Sequence, residues 1–174
     1  MFYWKRRPDV IARLNEFRSR WAGTDADFER RLHRYLLACC RMIWDILPQE
    51  GSRQGIAVAE RYHDGLVSLK ELRRADYHAE GAAFQIDYSP DSEDVVQMVE
   101  LVGSMPRRRI ERMVPEIATY DEIDPRELLL NAAYFAAFAV GYPDMRRKVI
   151  SGEYHVFLSS ELLENVFNEI RDGP

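Results

Sequence analysis

The sequence predicts an all-α fold, a single multi-helix bundle of about seven to nine helices that uses residues 1–174 as one domain. Apolar residues recur at helical spacing along most of the chain, and glycine, proline and capping residues separate the segments. The hydrophobic fraction of 47% and the charged fraction of 30% are typical of a globular protein. A chain of 174 residues also buries enough surface to be stable without disulfides or a structural metal.

The first helix is predicted from Pro8 or Asp9 to Trp21, because proline suits a first turn and apolar residues follow at helical spacing. Thr24 or Asp25 then caps a second helix at about 25–47. Further helices are predicted at about 52–62, 68–84, 92–101, 107–114, 125–141, 143–149 and 159–171. A short extended segment is predicted near 154–158, and a subdivision of the domain near 85–92 is left open.

The helix at about 25–47 is predicted to be the central helix of the bundle. At about 100° per residue its apolar side chains form two adjacent stripes, one through Cys39 and the other through Trp44. The remaining wedge is polar and holds Arg30, Arg34, Arg41 and Asp45. Because a helix that is apolar over most of its circumference is surrounded by other helices, Cys39 and Trp44 are both expected in the core.

The chain is predicted to work in the cytoplasm, away from membranes. Its first residues lack the apolar stretch of a secretory signal, and its longest apolar run, 128–140, is shorter than the ~20 residues that span a bilayer. The only two cysteines, Cys39 and Cys40, are adjacent, and adjacent residues rarely form a disulfide, which favours a reducing compartment. The net charge of −5 argues against a surface built throughout for nucleic acid, but it leaves room for a local basic patch.

Three short stretches form a pattern, ACCRMIW at 38–44, AVAERYHDG at 57–65 and Glu-Leu at 71–72. Together they resemble a helical segment that recurs in uncharacterised proteins of planctomycete bacteria. The resemblance covers roughly residues 34–75. It departs at Met42, where the family is expected to have arginine, and at His63, where a small residue is expected. It implies a bacterial, helical protein of unknown function and supplies no activity.

Cys39, Cys40 and His33 are the candidate metal ligands, because thiolates and imidazoles are side chains that bind zinc and related ions. Their spacing is unfavourable, since adjacent cysteines on a helix point about 100° apart, and the chain has no Cys-x-x-Cys or His-x-x-x-His pair. The favoured alternative is that both cysteines are small core residues and that His33 is hydrogen-bonded at the rim. No cofactor or metal is therefore predicted.

His63 and Asp64 are the candidate catalytic residues, because a histidine beside a carboxylate can act in acid–base chemistry. No glycine-rich phosphate loop, nucleophile elbow or metalloprotease motif accompanies them. A histidine at a helix end more often interacts with the last carbonyl groups of that helix. This second interpretation is preferred, and it predicts that His63→Ala has little effect on folding.

Clustered arginines are the candidate residues for binding anions or nucleic acid. The most prominent cluster follows Pro106 in a first helical turn and consists of Arg107, Arg108, Arg109 and Arg112. Further basic clusters stand at 5–7 and 146–148. Acidic residues are interleaved throughout the chain, however, and runs of charge are usually solvated faces or ion-pair partners.

The aromatic residues Phe2, Tyr3 and Trp4 are the candidate interface, because tyrosine, tryptophan and arginine are enriched in interface cores. The alternative is that they close the core of the bundle. The favoured function is a protein-binding or regulatory module of the bacterial cytosol that binds a protein partner or itself. The first alternative is a nucleic-acid-associated protein that uses the arginine clusters, and the second is a metal- or histidine-dependent enzyme.

Overall fold

The computed structural model describes residues 7–141, 143, 146, 147, 149 and 154–168 of the chain. These residues form eight α-helices and three short 3₁₀ helices, and none of them lies in a strand. The all-α prediction is therefore confirmed. The α-helices are α1 (Pro8–Ser19), α2 (Asp25–Met42), α3 (Glu50–His63), α4 (Leu69–Tyr88), α5 (Glu93–Gly103), α6 (Arg107–Met113), α7 (Pro125–Val140) and α8 (Ser160–Asn168). The 3₁₀ helices are Trp44–Ile46, Pro115–Thr119 and His155–Phe157. Four of the seven residues of the helix predicted at 143–149 are described, namely 143, 146, 147 and 149, and each of them is helical, whereas 144, 145 and 148 lie outside the described residues.

Helix α7 lies at the centre of the fold, where it packs against α2, α3, α4 and α5. Its start is set by Asp124, whose side chain accepts a hydrogen bond from the N–H of Arg126, and by Pro125 in the first turn. Nine of its sixteen residues are buried, and five of those nine are alanines. Such small side chains let neighbouring helices approach closely. No helix in the described part of the chain is both long and apolar enough to cross a membrane.

Helix α2 buries the two predicted apolar stripes against α3, α7 and α8, so it shares the central position with α7. The predicted cap is present. The Thr24 hydroxyl accepts from the N–H of Asp27 at 3.2 Å, and the Asp27 carboxylate accepts from the N–H of Thr24 at 3.3 Å. The polar wedge of the helix is exposed at Arg30, Arg34 and Arg41.

The helix predicted at 25–47 ends earlier than expected, at Met42, and the 3₁₀ helix Trp44–Ile46 follows it. The Arg53 side chain donates to the carbonyl oxygen of Leu47 at 2.6 Å and to that of Trp44 at 3.2 Å. These hydrogen bonds satisfy carbonyl groups that would otherwise need a continued helix or water. A residue on the next helix therefore stabilises the early end of α2.

Trp44 is half-buried, which corrects its predicted place in the core. Two guanidinium groups lie close to its ring, Arg41 at 4.1 Å and Arg53 at 5.1 Å from the ring centroid. Cations above an aromatic face are attracted by its electron density. The side chain thus packs at the surface of the bundle, under two arginines.

Helices α3 and α4 form a hairpin whose two backbones approach closely. Gly65 makes the turn with a φ of 71°, a left-handed conformation that favours glycine. Along the line of contact between the two helices, which we call the α3–α4 seam, a Cβ added to Gly51 would lie 2.7 Å from the carbonyl oxygen of His78. A Cβ added to Gly55 would lie 3.1 Å from the Cβ of Ala79. The seam therefore has no room for a β-carbon at Gly51.

Some predicted helix boundaries shift by a few residues. The capping box of Ser68 and Glu71 opens α4 as predicted, with the Glu71 carboxylate 2.7 Å from the N–H of Ser68. Helix α4 then continues to Tyr88, beyond its predicted end at 84. Ser52, at the predicted start of α3, is instead buried inside that helix, which begins at Glu50.

The segment predicted as extended near 154–158 contains a 3₁₀ helix, His155–Phe157. The N–H of Phe157 donates to the carbonyl of Tyr154 at 3.2 Å. Residues 156–158 are all buried, whereas a half-buried strand would alternate buried and exposed side chains. The prediction of an extended segment is therefore wrong for residues 155–157, which are helical.

Gly51→Ala is expected to lower the free energy of unfolding by about 1–3 kcal/mol, because the added Cβ meets the backbone of α4. Gly81→Ala is the matched control, since a Cβ at that helical glycine meets nothing within 4 Å. It should raise the free energy of unfolding by about 0.5–1 kcal/mol. Urea unfolding of both variants in dilute solution measures the difference, and equal effects would contradict the close α3–α4 seam.

Candidate functional site

Two histidines from different helices meet in the structure, and we call them the histidine pair. His33 lies on α2 and is 1% exposed, whereas His63 is the last residue of α3 and is half-buried. The Nε2 atom of His63 lies 2.8 Å from the Nδ1 atom of His33, a hydrogen bond in which one ring donates and the other accepts. Both residues are sequence-predicted candidates, but for separate sites. The packing of α2 on α3 unites them.

Both rings of the histidine pair are uncharged at neutral pH. Burial, followed by the positive charges of Arg34, Arg146 and Arg30, lowers the pKa of His63 to about 4. Burial, followed by the positive charge of Arg146 and the repulsion that two protonated imidazoles would meet, lowers the pKa of His33 well below its ordinary value of 6.5. The Nε2 atom of His33 has no hydrogen-bond partner among the described residues. An imidazole so placed is stable only in its neutral form.

An open cleft of about 550 Å³ lies beside His63, and its lining includes Asp64, Arg41 and Glu60. Arg41 holds the Glu60 carboxylate by two hydrogen bonds of 2.8 and 2.5 Å. Asp64 is exposed, and no hydrogen bond joins it to His63 in the described part of the chain. The Nε2 atom of His63 is already bonded to His33. The histidine pair therefore fits a structural link between α2 and α3 better than acid–base catalysis.

Cys39 and Cys40 are both fully buried, with exposed fractions of 0%. Burial raises the pKa of the Cys39 thiol to about 11 and also raises the pKa of Cys40. A metal ligand or nucleophile needs the thiolate, which this environment disfavours. Among the described residues, no three or more histidine, cysteine or acidic side chains are grouped so that they could hold a metal ion. His33 is also deeper than predicted, since it lies inside the core instead of at its rim.

Among the described residues, two arginines of the predicted cluster bind other groups of this chain, and two do not. Arg107 donates to the carbonyl oxygens of Asp121, at 2.9 Å, and of Tyr120, so it closes the turn that follows α6. Arg109 donates to the Asp45 carboxylate at 2.6 Å. All four side chains are exposed, but Arg108 and Arg112 make no ion pair within the described part of the chain. The four side chains therefore do not form one free basic surface.

An aromatic surface spans α4 and α7, and the sequence predictions do not include it. We define it as Tyr77, Phe84, Tyr88, Tyr134, Phe138 and Tyr154. Five of these rings form a chain of contacts, with centroids 5.9 Å apart for Phe84 and Tyr88 and 6.2 Å apart for Phe84 and Tyr134. Tyr77 lies two helical turns before Phe84 on the same face of α4. Tyr77 and Tyr88 are 74% and 78% exposed. The predicted interface residues Phe2, Tyr3 and Trp4 lie outside the described residues.

One sequence signal could have revealed this surface. Tyr77, Phe84 and Tyr88 are seven and then four residues apart, a spacing that puts them on one face of a helix. That face also lacks the aliphatic residues of a core stripe. The contribution of α7 has a weaker signal, because Tyr134 and Phe138 share one face with Glu127 and Asn131 on a helix that is otherwise apolar.

No known protein family, no characterised protein and no solved structure matches this chain. The resemblance of residues 34–75 to planctomycete proteins therefore stays a prediction. The function has to be inferred from the chain's own surfaces.

The free energy of unfolding is expected to fall as the pH drops from about 6.5 towards 4. Unfolded histidines take up protons near pH 6.5, whereas the folded pair with its lowered pKa values does not, so acid favours the unfolded chain. His63→Ala should flatten this pH dependence. It should also cost about 1–3 kcal/mol at neutral pH, because His33 loses its partner. The structure therefore reverses the sequence-based prediction that His63→Ala has little effect on folding.

Urea unfolding across that pH range compares His63→Ala with the native chain. His78→Ala is the control, because His78 is exposed on α4 and away from the histidine pair. An unchanged pH dependence in His63→Ala would contradict the described environment of the pair.

Arg107→Ala is expected to lower the free energy of unfolding by about 1–2 kcal/mol, because the turn after α6 loses the donors to its carbonyl groups. Arg108→Ala, one residue further along the same helix, should change it by less than about 0.5 kcal/mol. Thermal and urea unfolding of the two variants provide the comparison. If both were neutral, the closing role of Arg107 would be refuted.

Proposed function

We propose that this protein is an interaction module that associates with a second copy of itself through the aromatic surface. The observation that carries the proposal is the exposure of large rings on one face of α4, where Tyr77 and Tyr88 are 74% and 78% exposed. Exposed apolar residues scattered singly are normal, but a contiguous patch marks an interaction site. Tyrosines are enriched in interface cores because the ring is apolar and its hydroxyl can be satisfied at the rim.

The partly buried rings provide a rigid base for this surface. Tyr134 lies 6.1 Å from Phe138 and 6.3 Å from Tyr154, measured between ring centroids. The Tyr134 hydroxyl donates to the Asp87 carboxylate at 2.5 Å, which ties α7 to α4. A surface that is already ordered loses little conformational freedom on binding.

The distribution of charge along α4 favours a second copy as the partner. Exposed basic residues lie in its first turns, at Lys70 and Arg74, and exposed acidic residues lie at and beyond its end, at Asp87 and Asp91. A two-fold axis sets residue i against residue j and residue j against residue i. Two antiparallel α4 helices would therefore place the basic end of each beside the acidic end of the other, with the aromatic residues between them.

The other functions considered for this chain have less support. Nucleic-acid binding by the arginine cluster of α6 would depend on Arg108 and Arg112, because Arg107 and Arg109 already bind groups of this chain. A metal- or histidine-dependent enzyme would need side chains that the fold buries or keeps neutral, such as Cys40 and His33. As part of the proposal we place the dimer in the bacterial cytosol, where thiols stay reduced.

Sedimentation velocity over a concentration series tests the proposal. The native chain should show a monomer–dimer equilibrium, and Tyr88→Glu should weaken dimerisation about tenfold or more, because it sets charge into the apolar centre. Leu101→Glu is the matched control. Leu101 is a 53% exposed apolar residue on α5, outside the aromatic surface, so dimerisation should not change. Far-UV circular dichroism confirms that each variant is folded.

A charge exchange tests the antiparallel arrangement. Arg74→Glu should weaken the dimer, and adding Asp91→Lys to the same chain should restore it, since each new charge meets its opposite in the partner. A chain that is monomeric at every concentration would refute self-association. The aromatic surface would then be assigned to binding a different protein. Equal loss in Tyr88→Glu and Leu101→Glu would refute the location of the interface.

A further inference from the structure

A second cleft, which we call the arginine cleft, lies between α1, the first half of α2 and the end of α8. It has a volume of about 940 Å³, within the range of sites that hold small ligands. Its cationic lining consists of Arg13, Arg20, Arg30, Arg31 and Arg34. Against these five arginines the lining holds only two carboxylates, Glu16 and Asp27. A chain of net charge −5 therefore concentrates positive charge in one concave place.

Two of these arginines are available to a ligand. Arg13 is held by Glu16 at 2.7 Å, and Arg20 by the same carboxylate at 2.8 Å. Arg30 and Arg34, by contrast, are exposed and make no hydrogen bond or ion pair within the described part of the chain. They stand one turn apart on α2, where like charges repel each other and lower the stability of the helix. A bound anion would offset this repulsion.

The positive charge of Arg30 and Arg34 affects a neighbouring titratable group. The charges of Arg34 and Arg30 are among the causes that lower the pKa of His63. A cleft with low-dielectric walls and one sign of charge focuses that field and raises the local concentration of anions. Guanidinium groups are planar forks that bind phosphate oxygens in pairs, which lysine cannot do.

Aromatic side chains also line the arginine cleft, and we call them its aromatic wall. They are Phe17, Trp21 and Phe167. The Trp21 indole is held in place by donating to the carbonyl of Thr24 at 3.1 Å, and its ring lies 6.2 Å from that of Phe167. Phe17 and Phe167 are stacked 5.1 Å apart. Ordered aromatic rings, in the same cleft as two cations that are unpaired among the described residues, suit a ligand with a planar ring at one end and phosphate at the other.

We propose that the arginine cleft binds a nucleoside phosphate, with the phosphate groups on Arg30 and Arg34 and the base against Trp21. The two arginines are offset by about 6 Å along α2, a separation that two linked phosphate groups can bridge. A free nucleotide fits better than a nucleic-acid strand. The carboxylates of Glu16 and Asp27 line the same cleft, and they would repel a phosphate backbone that continued past it.

Isothermal titration calorimetry tests this with four probes, which are ADP, adenosine, inorganic pyrophosphate and a single-stranded oligonucleotide of about ten nucleotides. ADP should bind, and adenosine and pyrophosphate should each bind at least about tenfold more weakly, because each lacks one half of the recognised ligand. Arg30→Gln with Arg34→Gln should weaken ADP binding about tenfold or more. Arg108→Gln is the control, an exposed arginine without an ion pair on α6, and it should bind ADP like the native chain.

Trp21→Leu separates the two halves of the proposed site. It should weaken ADP binding and leave pyrophosphate binding unchanged, since only the base contacts the indole. No heat of binding for ADP would overturn the proposal. Pyrophosphate binding as tight as that of ADP would overturn the role of the aromatic wall. Tighter binding of the oligonucleotide would replace the nucleotide with single-stranded nucleic acid, and an equal loss in Arg108→Gln would show only general charge attraction.

Discussion

The close approach of α3 to α4 is the constraint on which the rest of this structure depends. At Gly51 and Gly55 the helices touch because side chains are absent, and the backbone of α4 fills the place of a β-carbon. The hairpin packs against α7, whose alanines continue the use of small residues. These helices therefore attract each other through many close atom contacts rather than through a few large side chains. The same packing fixes the end of α3, and so the place where His63 reaches His33.

Charge on α2 links the interior of the protein to its surface. Arg30 and Arg34 help to lower the pKa of His63, which favours the neutral histidine pair inside the bundle. The same two side chains are exposed at the arginine cleft. The aromatic surface belongs to other helices, α4 and α7. The proposed self-association and the proposed nucleotide binding therefore involve different residues, so a substitution that weakens one should leave the other unchanged.

Local hydrogen bonds explain why most helices can be predicted. The caps at Thr24, Ser68 and Asp124 each bind a group two or three residues along the chain, so the signal is contained in a short piece of sequence. The early end of α2 has no such signal, because the donor to the carbonyl groups of the following turn is Arg53 on the next helix.

The sequence by itself determined the all-α class, the principal caps and the apolar face of each helix, because these depend on residues within a few turns of one another. Only the tertiary structure decided which helices meet. The histidine pair joins residues 30 positions apart, and the aromatic surface joins Phe84 of α4 to Tyr134 of α7. Such contacts depend on the angle and distance at which helices cross, which all their side chains set together. Spacing along a single helix therefore reveals its faces but leaves its neighbours undetermined.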